Sequence, residues 1–339
     1  MSAAEEAIAE GHEAVEAVPK RAMTLGTGTS LVVLAALLVV PMFVKNFIIF
    51  QMTMLLIYGL AVLALNILTG GSGQFSLGQS AFYAVGAYTS AVLMEHANIN
   101  YALTIPVSAV ICFGFGYLFG KPALRLSGIY LALATFALAT AMPQLLKLNF
   151  LEHWTGGVQG LVVTKPDAPF GLPMSQDMWL YYFTLAVTVA IYIFSVNLLR
   201  SRSGRAFMAI RDNEIAASSM GVNVALYKTL AFGVSAGITG VAGSLGAIAV
   251  QFVAPDSYTI TLAISLFLGM VVGGVGWLPG SFVGAAFIIF VPNMAESISK
   301  GLSGAVFGVL LFLVIYLVPH GARQVAIFGQ QLVGKLRKN

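Results

Sequence analysis

What this chain has least of is charge. Only 9% of its 339 residues are Asp, Glu, Lys or Arg, against 58% hydrophobic residues, a balance that excludes an ordinary soluble globular class. Cysteine is nearly absent: the single Cys112 sits in an apolar run, so neither a disulfide framework nor a thiolate metal cluster is available. The histidines, His12, His96, His153 and His320, share no spacing and lie at segment ends or in loops. Ionisable residues at mid-span mark proton relays and ion-coupled sites in membranes, and here each lies at or near a span end. A proton-driven carrier and a membrane metalloenzyme are therefore disfavoured. If the protein moves a solute uphill, the energy has to enter from outside the bilayer.

What is abundant is uncharged apolar sequence. A transmembrane helix needs about 20 mostly apolar residues, and uncharged runs of that length occupy 22–44, 46–94, 96–120, 126–146, 178–199, 229–255, 257–295 and 301–322. Breaking them at glycine, proline and polar clusters predicts an all-α polytopic membrane protein of about ten transmembrane helices, some of them broken. These lie near 24–44, 47–69, 79–95, 101–120, 127–146, 178–198, 228–250, 257–274, 280–295 and 302–319. With both termini cytoplasmic, inner segments hold Lys20, Arg21, Lys121, Arg125, Arg200, Arg202, Arg205, Arg211, Lys228, Arg323, Lys335, Arg337 and Lys338, and outer ones only Lys45, Lys147, Lys165 and Lys300. That is the asymmetry the positive-inside rule expects, and losing one span would move Lys121 and Arg125 to the other side. The net charge of +4 thus reads as a topology signal. The basic residues are scattered over separate loops with no nucleic-acid motif, so no nucleic acid partner is expected. The chain divides into a cytoplasmic extension at 1–23, rich in glutamate and without the apolar core of a cleaved signal, a transmembrane domain at 24–322, and a cytoplasmic tail at 323–339.

The stretch GGSGQFSLGQS at 70–80 lies one residue from the phosphate-cradling pattern G-x-x-x-x-G-K-[ST]. That pattern needs a feeding strand, a following helix and a lysine at the seventh position. Here the seventh position is Gln79, and no Asp, Glu, Lys or Arg occurs between Lys45 and Glu95, so a triphosphate would find no counter-charge. Four glycines at 70, 71, 73 and 78 break or kink a helix instead, and backbone freed at membrane depth is tolerated only where protein buries it or water reaches it. Two readings stand. The stretch is a broken helix lining a solute path, with Asn66, Gly73, Gln74, Ser76, Gln79 and Tyr83 as its lining, or it is a site of close helix packing through small residues. A second GGVGWLPG at 273–280 shares the G-G-x-G start, as an internal repeat would.

Between two spans lies RSRSGRAFMAIRDNEIAASSMGVNVALYK at 200–228. It suits one or two short amphipathic helices punctuated by Gly204 and Gly221, able to seat in a groove of a partner or to lie at the headgroups. Within it, Ala216 to Gly221 resembles the A-A-x-x-x-G portion of the loop by which ABC importer permeases engage their ATPase, although Glu214 stands one residue further upstream than that pattern places its glutamate. More specifically, GRAFMAIRDNEIAASSMGVNVALYKTLAF, LNILTGGSGQFSLGQSAFYAVGAYTSAVL, WTGGVQGL at 154–161 and VVGGVGWLPGSFVGA at 271–285 resemble the M-type membrane subunit of the branched-chain amino acid ABC importer permease family. Gln79 and His320 depart from its usual histidine and arginine.

The resemblance implies a transport subunit that is not itself an enzyme and carries no cofactor. It implies as partners a homologous second permease chain, two cytoplasmic ATP-binding subunits, an extracytoplasmic solute-binding protein and the lipid bilayer of the bacterial inner membrane. It makes 200–227 the cytoplasmic coupling loop, with Gly204, Arg205, Arg211, Glu214, Ala216, Ala217 and Gly221 as ATPase-coupling residues. The segment 147–177, rich in glycine and proline and carrying Trp154, reads as an extracytoplasmic loop that receives the binding protein or as a plain connector. The expected cargo is a branched-chain amino acid or a chemical relative, with urea, short amides and small aromatic acids as possible substrates. A passive channel or ion-coupled carrier for a small neutral solute is the alternative, and a structural membrane subunit a third.

Overall fold

The computed structural model describes residues 27–123, 128–168 and 174–298, with 308, 309, 312 and 316. The chain is almost entirely helical. In order come α1 (Thr27–Val39), α2 (Asn46–Asn66), a π turn (Ile67–Gly71), α3 (Gln79–Ala97), α4 (Tyr101–Ala123), α5 (Ile129–Leu146), α6 (Asn149–Thr155), α7 (Gln176–Arg200), α8 (Arg202–Asp212), α9 (Glu214–Ser219), α10 (Val224–Val250), α11 (Ile260–Gly273) and α12 (Gly280–Ile298). Helices stand at nine of the ten positions read from the sequence. Of the tenth, 302–319, the described residues include only 308, 309, 312 and 316, and the two terminal segments fall outside them.

Among the described residues, six helical stretches are long and apolar enough to cross a membrane: Asn46–Gly71, Tyr101–Pro122, Ile129–Leu146, Gln176–Arg200, Val224–Val250 and Pro255–Gly273. Those of α1 and α12 are shorter, at Val33–Met42 and Gly280–Met294. Helix α3 falls outside this set for a compositional reason, because Gln79, Ser80, Thr89, Ser90, Glu95 and His96 dilute its apolar residues. It is nonetheless among the most enclosed elements, with Gln79 to Ala84, Gly86 to Tyr88, Ser90 and Ala91 all buried.

The centre of the bundle is α10, packed on α4, α3 and α2. It runs VALYKTLAFGVSAGITGVAGSLGAIAV, and almost all of it from Thr229 to Ala249 is buried. A helix surrounded by helices in lipid gains little from hydrophobicity, so it packs through small residues that let backbones approach. At the α3–α10 crossing a Cβ on Gly86 would lie 2.5 Å from the Gly240 Cα, which no real side chain tolerates. Polar links lock the same crossing: Ser90 bonds Ser108 of α4 at 2.9 Å and Ser244 of α10. Elsewhere hydroxyls bond back to their own helix, as Thr53 does to the Ile49 carbonyl at 2.9 Å and Ser195 to Ile191 at 2.7 Å, which meets their demand where water is excluded.

Side-chain caps occur where the chain leaves the apolar region. Ser175, Ser201, Asn213 and Asn223 accept from the first-turn amides of α7, α8, α9 and α10. Helices α2, α3 and α5 begin without one. Within 147–177, α6 is followed by a short strand β1 (Leu161–Val162) that pairs antiparallel with β2 (Phe252–Val253) after α10. His96 and His153, which share no spacing in sequence, meet here with rings 5.9 Å apart and Trp154 beside both.

Candidate functional site

The stretch that opens the question at 70–80 is fed by a helix, the opposite of the strand a phosphate loop requires. Helix α2 ends at Asn66, widens into the π turn Ile67–Gly71, and breaks at Gly73, whose φ of 72° suits glycine. Local hydroxyls take up the freed carbonyls. Ser72 Oγ donates to the Leu68 carbonyl at 2.7 Å and Thr69 Oγ1 to that of Gln74 at 3.0 Å. The loop then runs to α3 with Leu77 N–H donating to Thr135 Oγ1 of α5 at 3.0 Å.

A second broken segment, Gly274 to Pro279, links α11 and α12, and Asn66 joins the two. Its Nδ2 donates to the carbonyls of Gly274 at 3.4 Å and Trp277 at 3.0 Å and to Ser281 Oγ at 3.2 Å, while its Oδ1 accepts from Gly276 N–H at 2.6 Å. The loops touch as well: a Cβ on Gly70 would sit 2.5 Å from Gly276 N. Both begin G-G-x-G, and the third glycine has positive φ in each, 72° at Gly73 and 81° at Gly276. Nothing in a one-dimensional reading pairs Asn66 with Gly276; the shared G-G-x-G was the only hint.

Of the candidate path residues Asn66, Gln74, Ser76, Gln79 and Tyr83 are buried and Gly73 is exposed, and the polar side chains serve neighbouring protein groups. Gln79 Nε2 donates to Ser235 Oγ at 2.9 Å and its Oε1 accepts from Thr239 Oγ1 at 2.8 Å, both on α10. Gln74 Nε2 donates to Ser72 Oγ at 2.9 Å and the Lys228 carbonyl at 3.2 Å. Ser76 Oγ accepts from Gly78 N–H at 3.2 Å. Gly73 faces Arg211, whose Cγ would lie 3.0 Å from a Cβ placed there. Close packing thus describes Asn66, Gln74, Ser76 and Gln79 in this conformation. Gly73 and Gln74 belong to the junction with the 200–228 loop, because the π turn carries the chain past the helix axis towards α8.

Tyr83 leads elsewhere. Its buried ring stacks on Tyr58 at 6.3 Å and tilts against Tyr258 at 5.8 Å, with Tyr88 on the far side of Tyr258 at 6.1 Å. Among the described residues, four buried hydroxyls have no hydrogen-bond partner: Ser80 and Tyr88 of α3, Thr184 and Thr188 of α7. A polar group in that state costs about 1–3 kcal/mol. Tyr58, Thr184 and Thr188 escape a sequence reading because each lies in an apolar run, and Tyr88 and Tyr258 because nothing sets them apart from the hydroxyls beside them.

Below the loops, the 200–228 segment folds as two short helices broken at Asn213, which is extended and caps α9 through Ala216 N–H at 3.0 Å. Of the candidate coupling residues, Gly204 and Ala217 are buried on the inner face with Phe207 and Ile210, while Arg205, Ala216 and Gly221 are exposed. Gly221 has φ 82° with open space around it. Glu214 holds Lys228 at 2.6 Å, and Arg211 turns inward. Ile215 and Met220 stand 81% and 86% exposed. A cleft of about 250 Å³ separates this segment from the first glycine loop, bordered by Gly73, Gln74, Phe75, Arg211, Glu214 and Lys228.

Residues 47–318 match the family described as branched-chain amino acid transport system / permease component. The chain belongs to that family. It is 31% identical over 292 residues to the high-affinity branched-chain amino acid transport system permease protein LivM of Salmonella typhimurium, covering 79% of this chain and 68% of that one. To the LivM protein of Escherichia coli it is 31% identical over 293 residues, with the same coverage. The autoinducer 2 import system permease protein LsrC of Enterobacter sp. is more distant, 29% identical over 204 residues and 56% of each chain. No solved structure matches. This permease is accordingly a multi-pass membrane transport protein, and the family resemblance read from its loops holds.

Proposed function

We propose that this permease is the membrane subunit of an ABC importer that carries branched-chain amino acids across the bacterial inner membrane, with ATP hydrolysed by two partner subunits. A homologous second permease chain and an extracytoplasmic solute-binding protein complete the assembly. The observation that carries the reading is the 200–228 segment. Its two helices bury one face on the bundle and turn Ile215 and Met220 outward, at the end of a loop too short to be an enzyme domain. Large apolar side chains that exposed are what a partner's groove takes. An ion-coupled carrier has no need of such a loop, and a channel has no partner to receive it.

In the proposed topology ten helices span the membrane, including α3 and the stretch at 302–319, with both termini and the 200–227 loop inside and 147–177 outside. The solute moves beside the tyrosine cluster, where Tyr88 holds a hydroxyl free for an ammonium or carboxylate that has lost water. Desolvated polar groups cost several kcal/mol unless paired, and neutral dipoles exchange a zwitterion in steps where a fixed charge would hold one end of it. Asn66, Gln74, Ser76 and Gln79 form the polar floor beneath.

Affinity purification of the tagged chain from its own membranes tests this. Stoichiometric ATPases and a second permease are expected with the parent, and Ile215→Asp with Met220→Asp should release the ATPases while the second permease stays. Purification of the chain alone, with leucine uptake retained, would refute the reading.

A further inference from the structure

One side chain runs from the cytoplasmic loop to the point where the two glycine loops meet. Arg211, at the end of α8, donates from Nη1 to the carbonyl of Gly70 at 2.8 Å, and Asp212 Oδ1 fixes the other edge of the guanidinium through Nε at 3.0 Å and Nη2 at 2.9 Å. Gly70 lies in the last turn of the π segment, where unpaired carbonyls gather at the negative end of the helix dipole and a guanidinium is favoured. On its other side, the Gly70 Cα is pressed against Gly276 so closely that a Cβ would lie 2.5 Å from that backbone nitrogen and 2.6 Å from Asn66 Oδ1. Gly73, lacking a side chain, lets the arginine stem lie across the loop.

We propose that Arg211 is a positioning residue: it does not dock a partner but transmits the position of the coupling loop through Gly70 to Asn66 and the Gly274–Ser281 segment. This rests on the coupling reading above and adds to it a direction and a route. A coupling claim needs an element with two arrangements, and the π turn supplies one. Its i→i+5 bonding is a local departure from the helix on either side, and Arg211 holds the carbonyl at the point of departure. When the loop carries Arg211 away, Gly70 loses this cationic donor, the turn is free to rewind, and Asn66 moves relative to its four partners. A rigid α-helical ending would pass no such change on. The second tie, Glu214 to Lys228 with Gln74 on the Lys228 carbonyl, fixes the loop to α10 and does not reach the second glycine segment.

The test uses the assembled complex with its ATPases in lipid nanodiscs, carrying Val275→Cys in this chain. Val275 is exposed in the second loop and the native Cys112 is buried. The alkylation rate of the Val275 peptide is read by mass spectrometry before and after trapping with MgATP and vanadate, alongside ATP hydrolysis. Trapping should change the rate at least fivefold in the parent and less than twofold in Arg211→Gln, with hydrolysis persisting and the ATPases bound. Arg211→Lys, which keeps one donor, should recover part of the change. A double variant with Asn66→Ala should be no worse than the poorer single. An Arg211→Gln complex that responds as the parent does, additive losses in the double variant, or a parent that does not respond would each overturn the proposal while leaving the docking reading intact. Loss of the ATPases from Arg211→Gln would make Arg211 a docking residue and overturn it too. Failure of the docking reading shows separately, as ATPases retained by the Ile215 and Met220 variants.

Discussion

Replacing Asn66 with alanine should open the two glycine loops by an amount that can be worked from its hydrogen bonds. The side chain serves Gly276 N–H, the carbonyls of Gly274 and Trp277, and Ser281 Oγ. Hydrogen bonds between membrane helices average about 0.6 kcal/mol by double-mutant cycles, which puts a floor of about 2.4 kcal/mol under the four. A buried amide left wholly unpaired costs about 1–3 kcal/mol by itself. The short 2.6 Å bond to Gly276 is the one whose loss strands a backbone donor, since Ser281 can rotate to a new acceptor and Trp277 is only partly buried. A loss of roughly 2.5 kcal/mol raises the open population roughly sixtyfold, at about 1.4 kcal/mol per factor of ten. The assay is amide hydrogen exchange of the 270–281 peptide in nanodiscs. Asn66→Ala should speed exchange at Gly276 by one to two orders of magnitude, and Asn66→Asp, which keeps the acceptor and loses the three donated bonds, should restore only part of the protection. Unchanged exchange at Gly276 in Asn66→Ala would refute the reasoning, because the loops would then be held by the Gly70–Gly276 contact alone.

Gly86→Val should prevent accumulation of the folded protein, because its side chain would overlap the Gly240 backbone at the α3–α10 crossing; normal yield and thermal stability would show that the crossing is loose. Tyr88→Phe removes a buried hydroxyl that has no partner, so stability should hold or rise by about 1 kcal/mol while leucine uptake by the reconstituted complex falls severalfold; unchanged uptake would take Tyr88 off the path. Gln159→Cys should react with an impermeant thiol reagent from outside intact cells, and labelling only after the inner face is opened would reverse the proposed topology. Gln79→Lys completes the phosphate-loop spelling yet should create no nucleotide binding, measured by equilibrium dialysis on the isolated subunit, because a helix rather than a strand feeds the loop.

Much of the architecture was legible without coordinates, because lipid imposes it. An apolar solvent leaves the backbone no partner but itself, so uncharged runs of about twenty residues had to be helices, and glycine and polar clusters had to mark their ends. The loop families were legible for a similar reason. Gly70 to Gly73, Gly273 to Gly276 and the Ala216–Gly221 stretch carry backbone demands that only those residue types meet. Helix α3 was legible as part of an uncharged run broken at its glycines but not to a hydropathy threshold, since its polar residues dilute the apolar ones.

What only the tertiary structure decided is which polar groups meet. Asn66 and Gln79 read equally as lining and as glue in sequence, because an amide has the same donors and acceptors whether a solute or a helix uses them. Packing resolved them, setting Asn66 across to Gly276, 210 residues away, and Gln79 against Ser235 and Thr239. It also turned Arg211 from an outward-facing basic residue into the partner of the Gly70 carbonyl, and it left the hydroxyls of Ser80, Tyr88, Thr184 and Thr188 without partners. A periodicity fixes the face of a helix, but the neighbour on that face is set by close approach of small residues on separate helices. That choice depends on the whole bundle at once.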